Sequence, residues 1–491
     1  MLLEIFIIAL SALYLFNWWA HGYWKRKNVF SVPTEFLFGN VRLLLQQKIT
    51  MYGMYRNFYQ KYKEHKIIGF YSFYHPALLV TDPEIIKRIL VTDFNSFSNS
   101  GSDMNKTLDP IFGLNPFLLK SIPEWKESRS VQAAHQTQVK LRELVPGFIK
   151  VADFMFDFIK NQKNQTIKVL DLATRIMVDF SVLSAFGLEP KSFTDPDFGF
   201  LKHACSEKVF ASSRWNTIGS IFHPLLIRIF SLRFVTKEAE DFFLHISKTN
   251  LEHRLSAKIT RNDLFDTIMK SQKKNEGQNN KEKIQAEMVI AANCATFYMD
   301  ATITSSSVLC FILLELASHQ DIQEKLREEI LSVGKKPEDF DFEKINTMTY
   351  LQMVFDECMR LHPPVPSLSR TCTKDIVIND IKISKGTKVF ISALALHQDP
   401  VYYPEPMKFD PERFSEVNKS SRVKYTYLPF GEGPRICVGF KYGTLVVKTA
   451  TIFILLKYRI LASNNAKGSL HDPFEFFLSP KPDATIIFQE L

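Results

Sequence analysis

The sequence contains little cysteine, and its cysteines are not spaced as metal ligands or disulfide partners. Six cysteines occur in 491 residues, and no two of them form a Cys-x-x-Cys pair. This excludes a dense disulfide framework and a zinc module, and a reducing compartment fits best. Internal repeats are also missing, and the polar run 273–283 is the one plausible surface loop of linker composition beyond the N-terminal region. The chain is therefore predicted to form one large catalytic domain.

Basic residues outnumber acidic ones but are not concentrated in any stretch. The chain has 61 Lys and Arg against 52 Asp and Glu, a formal charge of +9. Because the basic residues are scattered, nucleic acid is disfavoured as a partner, and anionic lipid or an acidic protein remains. Hydrophobic residues make up 46% of the chain and include 43 phenylalanines. That content suits a large core together with an apolar substrate cavity.

The N-terminal segment has the length and polarity of a membrane helix. Residues 2–20 are apolar apart from Glu4, Asn17 and small hydroxyl groups, and approach the roughly 20 residues that cross a bilayer. The basic cluster 25–27 follows directly, so the positive-inside bias places the rest of the chain in the cytosol. The alternative is a cleaved signal peptide, whose basic residues would precede the apolar stretch. The aromatic residues predicted at the membrane interface are Trp18, Trp19, Tyr23 and Trp24.

Three segments follow from this pattern. Residues 1–24 are predicted to be the membrane anchor, residues 25–33 a basic linker that ends in a proline, and residues 34–491 the catalytic domain. Within that domain the apolar spacing indicates many helices and two short β regions, near 67–81 and 376–396. The fold class is therefore mainly α with small β-sheets. The helices predicted most clearly are 146–161, 168–187, 236–257, 261–273 and 285–317.

The most specific segment is a glycine-rich loop that ends in a cysteine. Residues 430–439 contain Gly433, Pro434, Cys437 and Gly439, and an apolar helical stretch follows. A cysteine just ahead of a helix N-terminus gains thiolate character from the helix dipole and from nearby backbone N–H groups. A thiolate is the form that a strongly donating metal ligand requires. The alternative is a buried structural cysteine beside an ordinary turn.

This loop resembles the cysteine-loop signature of the cytochrome P450 superfamily at Phe430, Gly433, Arg435, Cys437 and Gly439, and the resemblance covers essentially the whole chain. It implies a cytochrome P450 fold preceded by a single N-terminal membrane-anchor helix. It also implies haem b, the iron protoporphyrin IX, as cofactor, with Cys437 as the ligand to its iron. The implied location is the endoplasmic reticulum membrane, with the catalytic domain in the cytosol.

The activity implied by the resemblance is that of a haem-thiolate monooxygenase. Such an enzyme inserts one oxygen atom of O2 into a small apolar substrate such as a xenobiotic, a steroid or a fatty-acid-like molecule. Electrons come from NADPH through a membrane-bound flavoprotein reductase, and cytochrome b5 is a second partner that the family allows. The segments 316–330 and 362–366 resemble the microsomal branch that handles xenobiotics, including its insect members.

Two further motifs of the family surround the implied haem. Glu357 and Arg360 match its E-x-x-R, which locks with the arginine of a later Pro-Glu-Arg-Phe stretch, here Arg413. These three charges would be structural, although an exposed helix pair is the common reason for E-x-x-R elsewhere. The residues that the resemblance places against the cofactor, chiefly as partners of the haem propionates, are Trp125, Arg129, Arg370, Arg435 and Phe430.

The long helix departs from the family pattern. Thr304 matches the threonine that helps to deliver protons during oxygen activation, but the acid that normally precedes it is replaced by Ile303, and the glycine of the motif by Ala301. Asp300 lies four residues before Thr304 on the same helical face, so its carboxylate is a candidate substitute, acting through water. Asp300 and Thr304 are therefore the predicted catalytic residues. Asp300 as an ordinary helix acid is the alternative, and Thr302 is another candidate participant.

The resemblance also suggests a substrate cavity and a docking face. The walls would come from 97–117, 196–235, 301–304, 365–368 and 474–478. Phenylalanines that favour an apolar substrate there are Phe94, Phe97, Phe112, Phe117, Phe210 and Phe222. Lysines that suit an acidic reductase are Lys126, Lys424, Lys441 and Lys448. His397, a lone histidine before a turn, is assigned no chemistry.

Two other functions are compatible with the same motifs. One is a haem-thiolate isomerase or dehydratase that acts on peroxides without a reductase, and the other is a haem-binding relative without catalysis. NADPH consumption separates the three. A monooxygenase couples it to an oxygenated product, an isomerase forms product without it, and a binding protein forms no product.

Overall fold

The computed structural model describes residues 1–100, 108–120, 122–162, 166–204, 233–261, 263–273, 280–464 and 477–491. Most of these residues are helical. In chain order the helices are α1 Leu2–His21, α2 Tyr23–Arg26, α3 Arg42–Leu45, α4 Met51–Tyr62, α5 Pro83–Lys87, α6 Pro110–Gly113, α7 Ile122–His135, α8 Gln138–Lys160, α9 Val169–Phe186, α10 Gly199–Lys202, α11 Lys237–Ser256, α12 Leu264–Lys273, α13 Asn280–Ser318, α14 Gln320–Val333, α15 Phe342–Thr347, α16 Thr349–Leu361, α17 Ala393–His397, α18 Glu416–Ser421 and α19 Phe440–Lys457.

The strands form three small sheets among the described residues. They are β1 Ile67–Ser72, β2 His75–Val80, β3 Thr166–Lys168, β4 Leu368–Thr371, β5 Ile376–Ile378, β6 Ile381–Ile383, β7 Lys388–Ile391, β8 Tyr458–Ala462 and β9 Thr485–Glu490. The largest sheet has the order β1-β2-β7-β4, with β2 and β7 parallel and the other pairs antiparallel. Strands β3, β9 and β8 form the second sheet, and the hairpin β5-β6 the third. The predicted class, mainly α with small sheets, is confirmed.

Helix α13 is the centre of the domain. It packs against α9, α11, α19 and α6, and most of its apolar length is buried. In the part of the chain that the structure describes, α1 and α13 are both long and apolar enough to cross a membrane. The most apolar window of α13 is 83% buried, whereas that of α1 is 0% buried. Helix α13 is therefore a core helix, and α1 is the candidate anchor.

Several element boundaries differ from the prediction, each for a local reason. Helix α8 begins eight residues before Pro146, because the side chain of Thr137 caps it by accepting the N–H of Lys140, and the proline lies inside the helix. The long helix spans 280–318 rather than 285–317. Strands β3, β4, β8 and β9, of three to six residues, lie outside the two predicted β regions, since such short strands leave little alternation to recognise. Asp82 caps α5 as expected, with Pro83 at the first helical position.

The anchor helix is attached to the domain by specific contacts at its C-terminal end. The side chain of Asn17 accepts the backbone N–H of Leu37 at 2.9 Å, and His21 Nε2 donates to the carbonyl of Phe73 at 2.9 Å. Lys27, beyond the helix, donates to the hydroxyl of Ser384 at 2.8 Å. These contacts fix the direction in which α1 leaves the domain.

Trp24 belongs to the core of the domain, and its predicted place at the membrane interface is wrong. It is 0% exposed, donates its indole N–H to the carbonyl of Phe70 at 3.3 Å, and packs where a Cβ on Gly69 would lie 2.6 Å from its ring. Trp18 and Trp19 are exposed, as the anchor prediction requires. The predicted segment 1–24 therefore contains one residue on which the domain itself depends.

Replacing Trp24 should destabilise the whole domain. Trp24→Ala leaves a large cavity against β1, so the free energy of unfolding should fall by about 3–5 kcal/mol. Trp19→Ala, on the exposed side of α1, is the matched control and should change it by less than about 0.5 kcal/mol. Denaturant unfolding of the full chain in detergent measures both variants, and equal effects would contradict the assignment of Trp24 to the core.

Candidate active site

The glycine-rich loop has the tight conformation that its sequence predicts. Gly431 and Gly433 have φ of +73° and +75°, a region that side chains disfavour. A Cβ on Gly433 would also lie 2.0 Å from the carbonyl oxygen of Leu90, so no other residue fits. The backbone N–H of Cys437 donates to the carbonyl of Phe430 at 2.9 Å and closes the loop. These constraints fix Cys437 three residues before α19 begins.

Cys437 is exposed to an internal cavity, where the surrounding protein keeps its sulfur away from bulk water and a few groups act on its charge. Burial raises the pKa of its thiol to about 11, while the backbone N–H of Gly439 and the charge of Arg129 lower it and the charge of Asp300 raises it. A Cβ on Gly439 would lie 4.0 Å from the sulfur, so the absence of a side chain leaves room beside it. The chain's own groups thus favour the thiol, and a thiolate here requires a cationic partner such as a metal ion.

A cavity of about 850 Å³ joins the cysteine loop to the middle of α13. Cys437 lines it from the loop, and Asp300, Ala301 and Thr304 line it from the helix. Most of the other lining side chains are apolar, which suits a flat macrocycle with an apolar molecule beside it. The predicted walls contribute apolar residues to this lining, among them Phe112, Phe117, Phe234, Val365, Leu368 and Phe477.

Parts of the predicted walls lie elsewhere. Phe94 and Phe97 are buried in the core and do not line the cavity, so their assignment to a substrate wall is wrong. The greater part of the 196–235 region, with Phe210 and Phe222, lies outside the described residues, as do 101–107 and 474–476.

Three arginines and one tryptophan converge on the same cavity. The guanidinium of Arg435 stacks over Trp125 at 4.5 Å from the ring centroid, and that of Arg129 lies 5.9 Å from it. Arg435 also donates to the carbonyl of Leu119 at 2.7 Å, and Arg370 to that of Ser369 at 2.8 Å. Trp125 is 4% exposed and stands in α7, so the helix, the loop and β4 each contribute to this cationic cluster.

No carboxylate of the described residues forms an ion pair with Arg129, Arg370 or Arg435. Burial, together with the charge of Arg435, lowers the pKa of Arg370 to about 10. Burial and the charge of Arg129 lower the pKa of Arg435 to about 10. The Nε atoms of Arg370 and Arg435 are buried and have no hydrogen-bond partner among the described residues. Buried cations of this kind require an anion, and two carboxylates on one ligand would satisfy them.

The donor set therefore fits a haem. A macrocycle with two propionates would supply the anions that the arginines lack, and its iron would supply the cation that the Cys437 thiolate lacks. Phe430 lines the same cavity and stacks with Phe355 at 6.4 Å between ring centroids, which gives the cysteine loop a flat apolar floor. The residues predicted from the sequence to hold the cofactor thus lie together around one space.

On α13 the candidate catalytic residues Asp300 and Thr304 are linked. The hydroxyl of Thr304 donates to the backbone carbonyl of Asp300 at 2.6 Å, and the carboxylate of Asp300 accepts the side-chain N–H of Asn115 at 3.1 Å. Burial raises the pKa of Asp300 to about 7, against the hydrogen bond from Asn115, which lowers it. An acid with a pKa near neutrality can both give and take a proton.

The neighbouring residues of the helix point away from the cavity. Ile303 is 8% exposed and packs in the core, and Thr302 is fully buried with a hydroxyl that has no hydrogen-bond partner in the described part of the chain. Neither lines the cavity, so the expectation that Thr302 participates is wrong. From this stretch of α13, the polar residues that line the cavity are Asp300, Thr304 and Ser305, and Asp300 is the ionisable one.

The E-x-x-R charges form a buried clamp behind the cysteine loop. Glu357 and Arg360 are both 0% exposed and pair at 2.7 Å, and Arg413 lies 3.5 Å from Glu357. Arg360 also donates to the carbonyls of His397 at 2.8 Å and Pro406 at 2.7 Å. The clamp therefore fixes the irregular segment that leads to the loop.

His397 continues the clamp to the loop and takes no part in the chemistry. Its Nε2 accepts the backbone N–H of Leu428 at 2.8 Å, so its Nδ1 carries the proton and donates to the carbonyl of Arg360 at 3.1 Å. Burial lowers its pKa to about 3, with the charge of Arg360 acting in the same direction. A neutral imidazole that uses both nitrogens in this way is structural.

The predicted docking lysines divide into two groups. Lys126, Lys424 and Lys441 are exposed, as a partner surface requires. Lys448 is 1% exposed and donates to the side-chain carbonyl of Gln352 at 3.3 Å. Its assignment to a docking surface is therefore wrong, because the apolar face of α19 on which it lies is buried.

The sequence prediction missed several polar residues that line the cavity, among them Asn115 and Gln132. Asn115 follows α6 and contacts Asp300, and Gln132 lies on α7 three residues after Arg129. The helical spacing from Arg129 could have indicated Gln132. Nothing in the sequence near Asn115 indicates that it meets α13, since the two residues are 185 positions apart.

Breaking the clamp should unfold the region behind the loop. Glu357→Leu leaves Arg360 buried without its partner, and the free energy of unfolding should fall by about 3–5 kcal/mol. Glu416→Leu removes an exposed pair with Lys419 and serves as the control, with an expected change below about 1 kcal/mol. Denaturant titration of the two variants tests this, and a stable Glu357→Leu variant would contradict it.

Comparisons with known proteins agree over nearly the whole chain. The family model described as cytochrome P450 matches residues 32–488. Cytochrome P450 6k1 of Blattella germanica is 34% identical over 485 residues, which cover 93% of this chain and 91% of that protein. Cytochrome P450 6j1 of the same species is 32% identical, with coverage of 98% and 94%. Probable cytochrome P450 6a23 of Drosophila melanogaster is 31% identical, with coverage of 95% and 94%. The resemblance to insect members is thereby confirmed.

Proposed function

The chain belongs to the cytochrome P450 family and is a haem monooxygenase, and we propose that it oxygenates a small apolar substrate with electrons from an NADPH-dependent, membrane-bound flavoprotein reductase. The observation that carries the proposal is the convergence of Cys437 with Arg129, Arg370 and Arg435 on one apolar cavity. When bound there, haem supplies the activation of O2 that no side chain can perform.

In this proposal different residues of the chain bind the iron and the propionates of the cofactor. Cys437 ligates the iron through its sulfur. Arg129, Arg370 and Arg435 bind the propionates, with Trp125 as the ring on which two of the guanidinium groups rest. Phe430 shields the sulfur from water, which keeps the strongly donating ligand in an apolar environment.

The ligand assignment predicts a spectroscopic signature. The reduced, CO-bound protein should show the red-shifted Soret band of thiolate ligation, and Cys437→Ser should abolish that band, because a serine oxygen does not donate as a thiolate does. Cys372→Ser is the matched control, since Cys372 is buried beside β4 and donates to the carbonyl of Lys374. Retention of the band in Cys437→Ser would overturn the assignment.

The cavity and the exposed lysines support the substrate and electron source. Lining side chains such as Phe112, Phe117 and Phe234 would bind an apolar molecule by burying its surface, without specific hydrogen bonds. Lys126 and Lys441 flank the cysteine side of the site and suit an acidic protein, with the electrons entering from there. Cytochrome b5, also acidic in character, would use the same surface. Helix α1 as a candidate anchor supports the proposed location in the endoplasmic reticulum membrane.

The proton supply is assigned to Asp300 and Thr304. The carboxyl of Asp300 would pass a proton through water to the hydroxyl of Thr304, which lies one helical turn away, in place of the acid that Ile303 has replaced. Both residues line the cavity, and burial holds the pKa of Asp300 near neutrality. The acid therefore reaches the substrate side of the cofactor from position 300 rather than from position 303.

Removing this acid should uncouple NADPH consumption from product formation. Asp300→Asn keeps the size and the contact with Asn115 but loses the proton, so product formed per NADPH should fall about tenfold or more, with peroxide rising in its place. Thr304→Ala should also lower product per NADPH. Thr302→Ala, on the buried face of the same turn, is the control and should leave the ratio unchanged.

The same measurement decides between functions. With reductase present and one accepted substrate, product that forms without NADPH would favour the isomerase or dehydratase, and the absence of any product with a broad panel of compounds would favour a binding protein. An unchanged ratio in Asp300→Asn would remove the relay from the proposal but would leave the monooxygenase assignment intact.

A further inference from the structure

Asn115 is held in one orientation by its own loop. It is 3% exposed and follows α6, where its backbone N–H donates to the carbonyl of Phe112 at 3.0 Å and its carbonyl accepts the N–H of Leu118 at 2.9 Å. Its side-chain oxygen accepts the N–H of Phe117 at 2.9 Å. Because this bond commits the oxygen, the amide nitrogen must face the other way.

The amide nitrogen of Asn115 faces Asp300. Asn115 Nδ2 donates to Asp300 Oδ2 at 3.1 Å, across the contact between α6 and α13. The second carboxylate oxygen of Asp300 has no hydrogen bond from the described residues, and Asp300 lines the cavity. One oxygen is thus fixed by the protein, and the other is available to water or substrate.

We propose that Asn115 is a positioning residue that holds the carboxyl of Asp300 over the cavity beside Thr304. The inference rests on the proposed proton relay. A carboxylate on a helix has several rotamers, and only those facing the cavity can pass a proton toward Thr304. The hydrogen bond from Asn115 selects these rotamers of Asp300. The relay has no acid at position 303, and the orientation of its acid at position 300 is set by a residue outside the helix.

The bond also supports the ionised form of the acid. An amide N–H that donates to a carboxylate favours the charged state, and this partly offsets the burial that raises the pKa of Asp300. Without Asn115 the acid would lose both its orientation and this donor. Asp300 would then protonate locally without releasing its proton toward Thr304.

The decisive variant keeps the loop and removes only the bond to Asp300. In Asn115→Ser the hydroxyl can still accept the N–H of Phe117, as serine does in turns of this kind, but it is too short to reach Asp300. The experiment uses the full-length, haem-loaded protein with reductase and one accepted substrate. It measures product and peroxide per NADPH, together with the spectral dissociation constant of the substrate.

We expect Asn115→Ser to lower product per NADPH about five- to tenfold, as for the loss of one ordinary hydrogen bond, with the substrate dissociation constant unchanged. The double variant Asn115→Ser with Asp300→Asn should be no lower than Asp300→Asn alone, because the two residues act as one unit. The exchange Asn115→Asp with Asp300→Asn restores a carboxylate to the pair and should recover part of the loss.

The outcomes separate this inference from the function on which it rests. If product per NADPH is normal in Asn115→Ser but low in Asp300→Asn, the role of Asn115 is overturned and the proposed relay is supported. Additive losses in the double variant also overturn it, since Asn115 would then act through loop packing. A normal ratio in Asp300→Asn removes the relay and this inference together. Should Asn115→Ser lose haem, Asn115→Thr provides the same comparison, because its hydroxyl can also accept the N–H of Phe117 but does not reach Asp300.

Discussion

Uncompensated charge around one apolar cavity is the constraint on which the rest of this structure depends. Arg129, Arg370 and Arg435 line this cavity without an ion-pairing carboxylate among the described residues, and Arg435 repels both of the others. Cys437 stands in the same cavity as a thiol whose pKa is raised. Such an arrangement costs stability until a ligand supplies two anions and one metal cation. Much of the scaffold, from the stacked Trp125 to the left-handed glycines of the loop, keeps these charges apart and correctly directed. Binding of the cofactor is thereby coupled to the folding of the region that surrounds it.

The scaffold meets this constraint by fixing irregular backbone with buried polar groups rather than with regular secondary structure. Arg360, paired with Glu357, donates to carbonyls of the segment before the loop. His397 bonds to the carbonyl of Arg360 and to the N–H of Leu428, and so connects this pair to a residue two positions before Phe430. A hydrogen bond between α16 and a distant loop does not depend on local propensity. The position of the sulfur is therefore set by long-range contacts.

These long-range contacts explain where sequence reasoning succeeded and where it stopped. The loop around Cys437 and the helical face of Asp300 and Thr304 were predictable, because glycine requirements and the four-residue spacing of a helix are local properties. Trp24 and Lys448 were misassigned because each has a side-chain type common at membrane or protein surfaces, while burial depends on which elements pack against it. Asn115 was missed for the same reason, since its partner lies 185 residues away.

In the relay that we propose, the acidic group lies at position 300 of α13 instead of position 303, on the same helix backbone. In this chain the side chain at 303 lies on the packed face of α13, where an apolar residue adds to the core at no cost in desolvation. The side chains at 300 and 304 lie one turn apart on the face that lines the cavity. An acid at 300 thus faces the reacting space directly, but in an apolar wall it needs a hydrogen-bond donor to remain ionisable. Asn115, on a loop whose own bonds direct its amide, supplies that donor from outside the helix.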